Sequence, residues 1–251
     1  MVKMKSADSL AVLEAEIPAC VACPRLVEYR ERIAAEKRRA FADWNYWGKP
    51  IAGFGDGAGR IWIIGLAPAA HGANRTGRVF TGDRSGDFLF AALHRCGLAN
   101  QPQSVKVGDG LELRDCFISA AVRCAPPDNK PLPSEEANCS GYLDREWELL
   151  ERKRVILALG AIAWKATISL ASRHGYCERA TPFAHGATVQ LSDRLTLIGS
   201  YHVSQQNTFT GRLTPAMFDT ILRQCLRIST TTPPRRRSDQ TKPAIRVAEL
   251  R

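Results

Sequence analysis

Long hydrophobic runs are missing from this chain of 251 residues. The longest apolar stretch, residues 155–164, falls well short of the ~20 residues that a helix needs to cross a bilayer. Residues 1–16 carry charges with no apolar stretch behind them, which is not the pattern of a secretory signal. We therefore expect a soluble, cytoplasmic protein without a membrane partner.

Signatures of several nucleotide-handling classes are also missing. No Walker phosphate-binding motif occurs, and no H-x-E is paired with P-C-x-x-C, which excludes a zinc nucleobase deaminase. The glycine run GFGDGAG (residues 53–59) resembles a dinucleotide fingerprint. It precedes a predicted strand, however, whereas the fingerprint must follow one. We interpret the run as a loop.

Positive charge is in excess, with a formal net charge of +10. Residues 229–251 hold five Arg and one Lys against Asp239 and Glu249, so about +4 of the excess lies there and the rest in the body. A cationic body suits a polyanionic partner, because each phosphate that it neutralises releases counterions. Many soluble proteins are basic without such a partner, so the charge only favours nucleic acid.

Short apolar strands alternate with helices. The predicted strands are RIWIIGLAP (60–68), DCFISAAVRC (115–124), RVILALG (154–160) and RLTLIGS (194–200). Helices are predicted over about 25–44, from a cap at Ser85 to about Gly97, from Ser134, over 161–172, and from Thr214 to about Arg227. The alternation predicts an α/β fold with a mostly parallel four-stranded sheet covered on both faces.

Residues 1–228 are predicted to form a single domain, and 229–251 a basic, disordered tail because they are low in apolar content. Three distinctive loops, 65–83, 123–133 and 200–211, follow predicted strands. Functional sites of open parallel sheets lie at the carboxyl ends of the strands, so these loops predict the site. His202 and Asp83 are its best candidates, although a lone histidine is usually just a satisfied polar group.

Eight cysteines occur, and four of them are grouped by spacing. Cys20 and Cys23 form a C-x-x-C pair, and Cys124 and Cys139 flank the proline-rich loop and the next helix start. Two such pairs commonly build a tetrahedral thiolate site, which spacing alone cannot divide between zinc and iron–sulfur. A redox pair would need a preceding strand, and none is predicted there. The remaining four cysteines are predicted to be core thiols.

Three long segments resemble the type b, or family 5, uracil-DNA glycosylases. They are GLAPAAHGANRTGRVFTGDRSGDFLF (65–90), VRCAPPDNKPLPSEE (122–136) and HVSQQNTFTGRLTPAMF (202–218). The cysteine pattern C-x-x-C…C-x14-C is similar to the [4Fe-4S] ligands that families 4 and 5 share. YWGKP…GFGD is also similar to what precedes the first family-5 motif. The resemblance covers about residues 18–227, and three long motifs in the right order make it specific.

The resemblance implies a three-layer α/β/α sandwich and a monofunctional DNA glycosylase of base excision repair. Such an enzyme hydrolyses the N-glycosidic bond of a damaged base and leaves an abasic site. The expected partner is DNA containing uracil, hypoxanthine or related lesions, bound by a monomer that is nucleoid-associated if the source is bacterial. The implied cofactor is a [4Fe-4S] cluster held by Cys20, Cys23, Cys124 and Cys139.

The resemblance also implies roles for individual residues. His202 stabilises the departing base anion, Asp83 positions the attacking water, and Asn129 is a second polar candidate. Phe80 lies against the flipped base, beside Gly65, Leu66 and Ala67 of the first motif. For the DNA itself, we expect Asn74, Arg75 and Arg78 to hold flanking phosphates, and Leu213 to insert into the vacated stack.

Two departures from family 4 bear on specificity. The GEAPG of that family is Gly65-Leu66-Ala67-Pro68-Ala69 here, so its acidic residue is missing. The asparagine that reads the pyrimidine edge in family 4 is Ala120 here. The loss of this asparagine agrees with the wider range of family 5, which includes hydroxymethyluracil, ethenocytosine and hypoxanthine.

Two other classes remain as alternatives. A non-catalytic iron–sulfur protein could bind damaged DNA without cutting it, but the retained Asp83, His202 and Asn129 disfavour it. A redox protein could use a cluster for electron transfer, but no flavin or nicotinamide motif accompanies the cysteines. Release of a base from treated DNA separates a glycosylase from both.

Overall fold

A central sheet of six strands organises the computed structural model, which describes residues 8–176 and 181–231. The strands are β1 (Phe54–Gly55), β2 (Ile61–Gly65), β3 (Cys116–Ala120), β4 (Val155–Leu159), β5 (Thr188–Ser192) and β6 (Leu195–Ser200). Their order across the sheet is β1-β3-β2-β4-β6-β5. The four inner strands are parallel, and the two edge strands run antiparallel to their neighbours.

Helices cover both faces of the sheet, and all except the first two come after a strand in the chain. They are α1 (Leu10–Glu16), α2 (Pro24–Glu36), α3 (Ala73–Thr76), α4 (Arg84–Arg95), α5 (Pro133–Leu149), α6 (Ala161–Arg173), α7 (Gln205–Phe209) and α8 (Pro215–Thr230). Short 3₁₀ turns span Ile17–Ala19, Arg39–Phe41 and Pro127–Asn129.

Alternate residues of each inner strand bury into two separate cores. In β2, Ile61 and Ile63 face the core beneath α4 and α8, whereas Trp62 and Ile64 face the core beneath α5 and α6. Because both faces are covered, the strands are apolar throughout instead of alternating. The predicted α/β/α sandwich with a mostly parallel sheet is thereby confirmed.

The sheet also defines where a site can form. The chain passes from β2 to β3 on one side and later from β4 to β6 on the other. The helices that follow β2 and β4, α4 and α6, lie on opposite faces of the sheet. The carboxyl ends of β2 and β4 therefore flank a topological switch point, where a crevice opens in folds of this kind.

Several boundaries differ from the sequence-based predictions. The sheet has six strands instead of four, because two short antiparallel edge strands were missed. The helix predicted over 25–44 ends at Glu36, where Lys37 takes a left-handed φ of 53°. Thr214 is confirmed as the N-cap of α8, which continues to Thr230.

The predicted tail lies almost entirely outside the described residues, as does Cys177. Of the other predicted core thiols, Cys116 and Cys225 are buried and Cys96 is partly exposed. Across the part of the chain that the structure describes, no helix is long and apolar enough to cross a membrane.

Candidate active site

A pocket of about 590 Å³ opens at the carboxyl ends of the inner strands. The loops after β2, β3 and β6 supply its walls, which are the three loops predicted from sequence. Its lining consists of Leu66, Ala67, Ala69, Phe80, Asp83, Ser85, Asp128, Asn129, Lys130, His202, Ser204, Gln205, Gln206 and Asn207. Apolar groups therefore form one wall, and amides and ionisable groups form the others.

Asp83 is the N-cap of α4. Its Oδ1 accepts a hydrogen bond of 3.0 Å from the Gly86 amide, so the predicted cap at Ser85 is wrong by two residues. Burial raises the pKa of the Asp83 carboxyl above its ordinary value, and the backbone amides of Gly86 and Ser85 and the charge of Arg75 offset only part of this rise. The cap thus fixes the orientation of the carboxylate and favours its ionised form.

Glycines make room for two of the pocket side chains. A Cβ at Gly72 would lie 2.0 Å from the Asp83 Oδ2, so only glycine lets the carboxylate take its place. A Cβ at Gly65 would lie 2.7 Å from the Phe80 ring. Gly65 therefore lies behind Phe80 without lining the pocket itself.

Phe80 holds an unfavourable backbone conformation, with φ of 51°. Bulky residues rarely adopt this region, and such strain persists where the surroundings enforce it, often at functional sites. The ring lies 6.2 Å from the His202 ring, centroid to centroid, at 34°. The two rings thus share one end of the pocket.

His202 follows β6 directly, and its backbone carbonyl accepts a 2.8 Å hydrogen bond from the Asn207 side chain. Burial lowers the pKa of the imidazole to about 4, so the ring is neutral at pH 7. Within residues 8–176 and 181–231, no protein group hydrogen-bonds to the ring nitrogens. The N–H of the neutral ring is therefore available to a ligand.

Asn129 lies on the opposite rim and is exposed. It follows Asp128, and both residues have left-handed φ values, 55° and 53°. The amide of Asn129 donates to the Pro126 carbonyl at 3.3 Å. The tight turn presents the Asn129 side chain to the pocket.

The predicted phosphate contacts are buried instead of exposed, and this prediction needs correction. Asn74 donates to the Arg30 carbonyl at 3.2 Å. Arg78 pairs with Asp109 at 2.7 Å, and Arg75 donates to two backbone carbonyls. Short polar loops predicted surface positions, but these side chains bond to α2, to Asp109 and to carbonyls of their own loop, and so brace the loop.

The predicted wedge is also misplaced. Leu213 is 0% exposed and belongs to the core beneath α4 and α8. Phe209, four residues earlier, is 70% exposed at the end of α7, next to the pocket. The sequence signal that could have indicated Phe209 is an apolar residue within a polar loop.

Other pocket residues were not singled out from sequence. Gln205, Gln206 and Lys130 lie in the loops that were predicted to form the site. Their side chains are exposed and polar, so only their position after a strand end could have indicated them. Amides present both donors and acceptors, which allows contacts with several base edges.

The four grouped cysteines line one cavity beside α2 and α5. Cys23, Cys124 and Cys139 pack together in a small buried cluster. The Arg30 guanidinium donates to the Cys124 Sγ at 3.0 Å. Across the described ranges, no three Cys, His, Asp or Glu side chains form a group that could hold a single metal ion.

Comparison with known proteins places the fold and pocket in one class. Residues 52–225 match the family model described as Uracil DNA glycosylase superfamily. That match covers more than half of the chain and includes every residue that lines the pocket. The chain belongs to the uracil-DNA glycosylase superfamily.

Within the superfamily it belongs with the type-5 enzymes. The Type-5 uracil-DNA glycosylase of Mycobacterium bovis is 53% identical over 89% of this chain and 83% of the relative. Those of Thermus thermophilus and Pyrobaculum aerophilum are 49% and 43% identical over 85% and 82% of this chain, and 95% and 87% of the relatives. The Type-4 enzyme of Pyrobaculum aerophilum is 36% identical over 45% of this chain. The resemblance seen in the motifs is confirmed.

Proposed function

We propose that this DNA glycosylase, which removes uracil from DNA, is monofunctional and acts on a wider set of deaminated or damaged bases. The observation that carries the proposal is one pocket that holds Phe80, His202 and Asp83 together. A base inside a duplex cannot reach such a pocket, so the nucleotide must first rotate out of the stack.

His202 would act on the leaving base. Cleavage of the N-glycosidic bond leaves negative charge on the base, and a neutral imidazole N–H can donate to the oxygen where that charge develops. Burial keeps the ring neutral, which fits this role. The Phe80 ring offers a face on which the base can stack.

Asp83 would act on the sugar side. The capping bond occupies Oδ1, so Oδ2 is the oxygen that can orient or deprotonate a water for attack at C1′. A carboxylate near the sugar also offsets the positive charge of an oxocarbenium-like transition state. Asn129 could hold the same water from the opposite rim.

The wider specificity is supported by the pocket lining. Leu66, Ala67 and Ala69 present no side-chain donor or acceptor to the base edge, and the movable amides of Gln205 and Gln206 can meet either kind of group. The volume of about 590 Å³ leaves room for a purine as well as a pyrimidine.

A panel of duplexes containing uracil, hypoxanthine or ethenocytosine tests these proposals. We expect release of all three bases, with strand breaks only after alkali. Release of uracil alone would contradict the wider range. Breaks without alkali that disappear in Lys130→Ala would show a lyase, since Lys130 is the amine that lines the pocket.

Phe209 would fill the gap that the rotated nucleotide leaves. Extrusion costs a few kcal/mol, and an exposed apolar side chain beside the pocket can offset part of it by inserting into the stack. We expect Phe209→Ala to slow excision from a duplex roughly tenfold or more, about 1.4 kcal/mol. Excision from a single strand, which needs little unstacking, should change far less.

Val107→Ala is the matched control, since Val107 is also an exposed apolar residue but lies outside the loops that form the pocket. It should excise at the normal rate from both substrates. Equal losses on duplex and single strand in Phe209→Ala would exclude a wedge.

We also propose that Cys20, Cys23, Cys124 and Cys139 hold a [4Fe-4S] cluster. The four thiols line one cavity, as the four cysteine ligands of such a cluster must. When bound, the cluster would link the N-terminal segment to the loop after β3.

Charge around the cavity supports an anionic occupant. Arg30 is 3% exposed, and the carboxylate of Glu31, its salt-bridge partner, lies 3.6 Å away and is 61% exposed. A buried cation needs a nearby negative charge, which thiolates around a cluster would supply. Asn138 adds a side-chain hydrogen bond to the Cys23 Sγ at 3.4 Å, as found around cluster sulfurs.

Metal analysis of anaerobically purified protein tests the cluster. We expect a brown protein with about four irons per chain. Cys124→Ser should lose the iron, while Cys96→Ser should keep it, because Cys96 does not line the cavity. A colourless protein loaded with zinc would refute the assignment.

A further inference from the structure

Arg75 is held between two aromatic rings. Its guanidinium carbon lies 3.9 Å from the centroid of the Phe41 ring and 4.0 Å from that of Trp44. The side chain is only 4% exposed. Stacking on two ring faces fixes the plane of the guanidinium and replaces part of its lost hydration.

The same guanidinium joins the two backbone segments around Asp83. Its Nε donates to the His71 carbonyl at 2.8 Å, and its Nη2 donates to the Gly82 carbonyl at 2.7 Å. His71 directly precedes Gly72, whose missing side chain makes room for the carboxylate. Gly82 directly precedes Asp83. The orientation of the carboxylate therefore depends on both of these bonds.

The third nitrogen, Nη1, is buried and has no hydrogen-bond partner among the described residues. Arg75 and Asp83 line the same groove, which continues from the base pocket. Within the described ranges no carboxylate forms a salt bridge with Arg75. Burial lowers the pKa of Arg75 and raises that of Asp83, and the attraction between the two charges offsets part of both shifts.

We propose that Arg75 is the positioning residue of Asp83: it ties the backbone on both sides of the carboxylate and places a cation beside it. This inference rests on the proposed catalytic role of Asp83. Arg75 itself does not line the base pocket. It acts through Asp83, and the two aromatic rings hold it in place.

Other charges around Asp83 have separate effects. Asp87, one turn along α4, raises the pKa of the Asp83 carboxyl, and the amides of Ser85 and Gly86 lower it. Groups that share the pocket or groove walls with it are Asp128, Lys130, His202, His71, Arg38 and Arg84. Arg38 and Arg84 are exposed, so solvent screens them more than it screens Arg75.

The test is the pH profile of single-turnover excision in two variants. Arg75→Gln removes both the charge and the hydrogen bonds to the two carbonyls, so the acid limb should move to higher pH and the plateau should fall. Arg75→Lys keeps the charge but cannot bridge both carbonyls. Its acid limb should stay in place while its plateau falls ~10-fold or more, because small misplacements of a reacting group are costly.

Arg84→Gln is the matched control, an exposed arginine next to Asp83 in sequence. Its acid limb should stay in place. A folded Arg75→Gln enzyme with an unmoved limb would overturn the inference. If Arg75→Gln fails to fold, Arg75→Lys provides the test. A plateau at the normal rate in Arg75→Lys would exclude a role for the hydrogen bonds that link the His71 and Gly82 carbonyls.

Asp83→Asn separates this inference from the proposed function. A slow residual rate in Asp83→Asn that stays constant above about pH 5, where His202 is neutral, would assign the acid limb to Asp83. Full activity there would remove Asp83 from the mechanism, whatever Arg75 does. A slow Asp83→Asn enzyme combined with normal behaviour in both Arg75 variants would overturn only the role of Arg75.

Discussion

Asp83→Asn is expected to fold normally and to excise uracil about 10²–10⁴-fold more slowly, the usual contribution of a general base. Asparagine is as good an N-cap as aspartate, so the bond to the Gly86 amide survives. What the variant loses is the charge and the ability to accept a proton from water. Single-turnover kinetics on a uracil-containing oligonucleotide, beside a thermal melt, measure the two effects separately.

Two further substitutions at the same position sharpen the result. Asp83→Ser keeps a capping oxygen and should match Asp83→Asn in both its stability and its reduced excision rate. Asp83→Ala loses the cap and should unfold about 1 kcal/mol more easily, with no further loss of rate. Full activity in Asp83→Asn would show that another group handles the water.

His202→Ala is expected to excise uracil ~10²–10³-fold more slowly, as when one donor to a developing oxyanion is removed. The imidazole lies beside Phe80 in the pocket, and the backbone bond from Asn207 does not depend on the side chain. His94→Ala is the control, since His94 is exposed on α4. An active His202→Ala enzyme would exclude anion stabilisation by this residue.

The charge state of His202 gives a second check on this role. With its pKa lowered to about 4 by burial, the ring stays neutral throughout the range from pH 6 to 8. The excision rate should therefore show no titration near pH 6.5, the ordinary histidine value. The His202 imidazole should become protonated only near pH 4. A ring that titrates near 6.5 by NMR would contradict a neutral donor.

The inner strands and the site loops could be predicted because burial on both faces leaves a strong apolar signal. The edge strands lack this apolar signal and were missed. Phe54–Gly55 is only two residues long, and Thr188–Ser192 has a single buried residue. Each edge strand forms because it pairs with a neighbouring strand, and such pairing cannot be predicted from a short or polar segment alone.

Within the site loops, the sequence could not predict the direction in which each side chain points. The position of Asp83 after the first strand indicated the carboxylate, but not that it caps α4. Arg75 and Arg78 are charged residues in a loop, and sequence gives no sign that their partners are aromatic rings and buried oxygens. Leu213 was misplaced because its burial depends on packing against the distant core.

A crystal structure of Asp83→Asn bound to a duplex with one uracil tests the central claim most directly, since the slow variant should hold its substrate uncleaved. We predict the uracil rotated out, its ring against Phe80 and its O2 within hydrogen-bond distance of the His202 imidazole. Asn129 and the residue at 83 should approach the sugar at C1′. A uracil that stays stacked in the helix, or that occupies any cavity away from His202, would contradict the account.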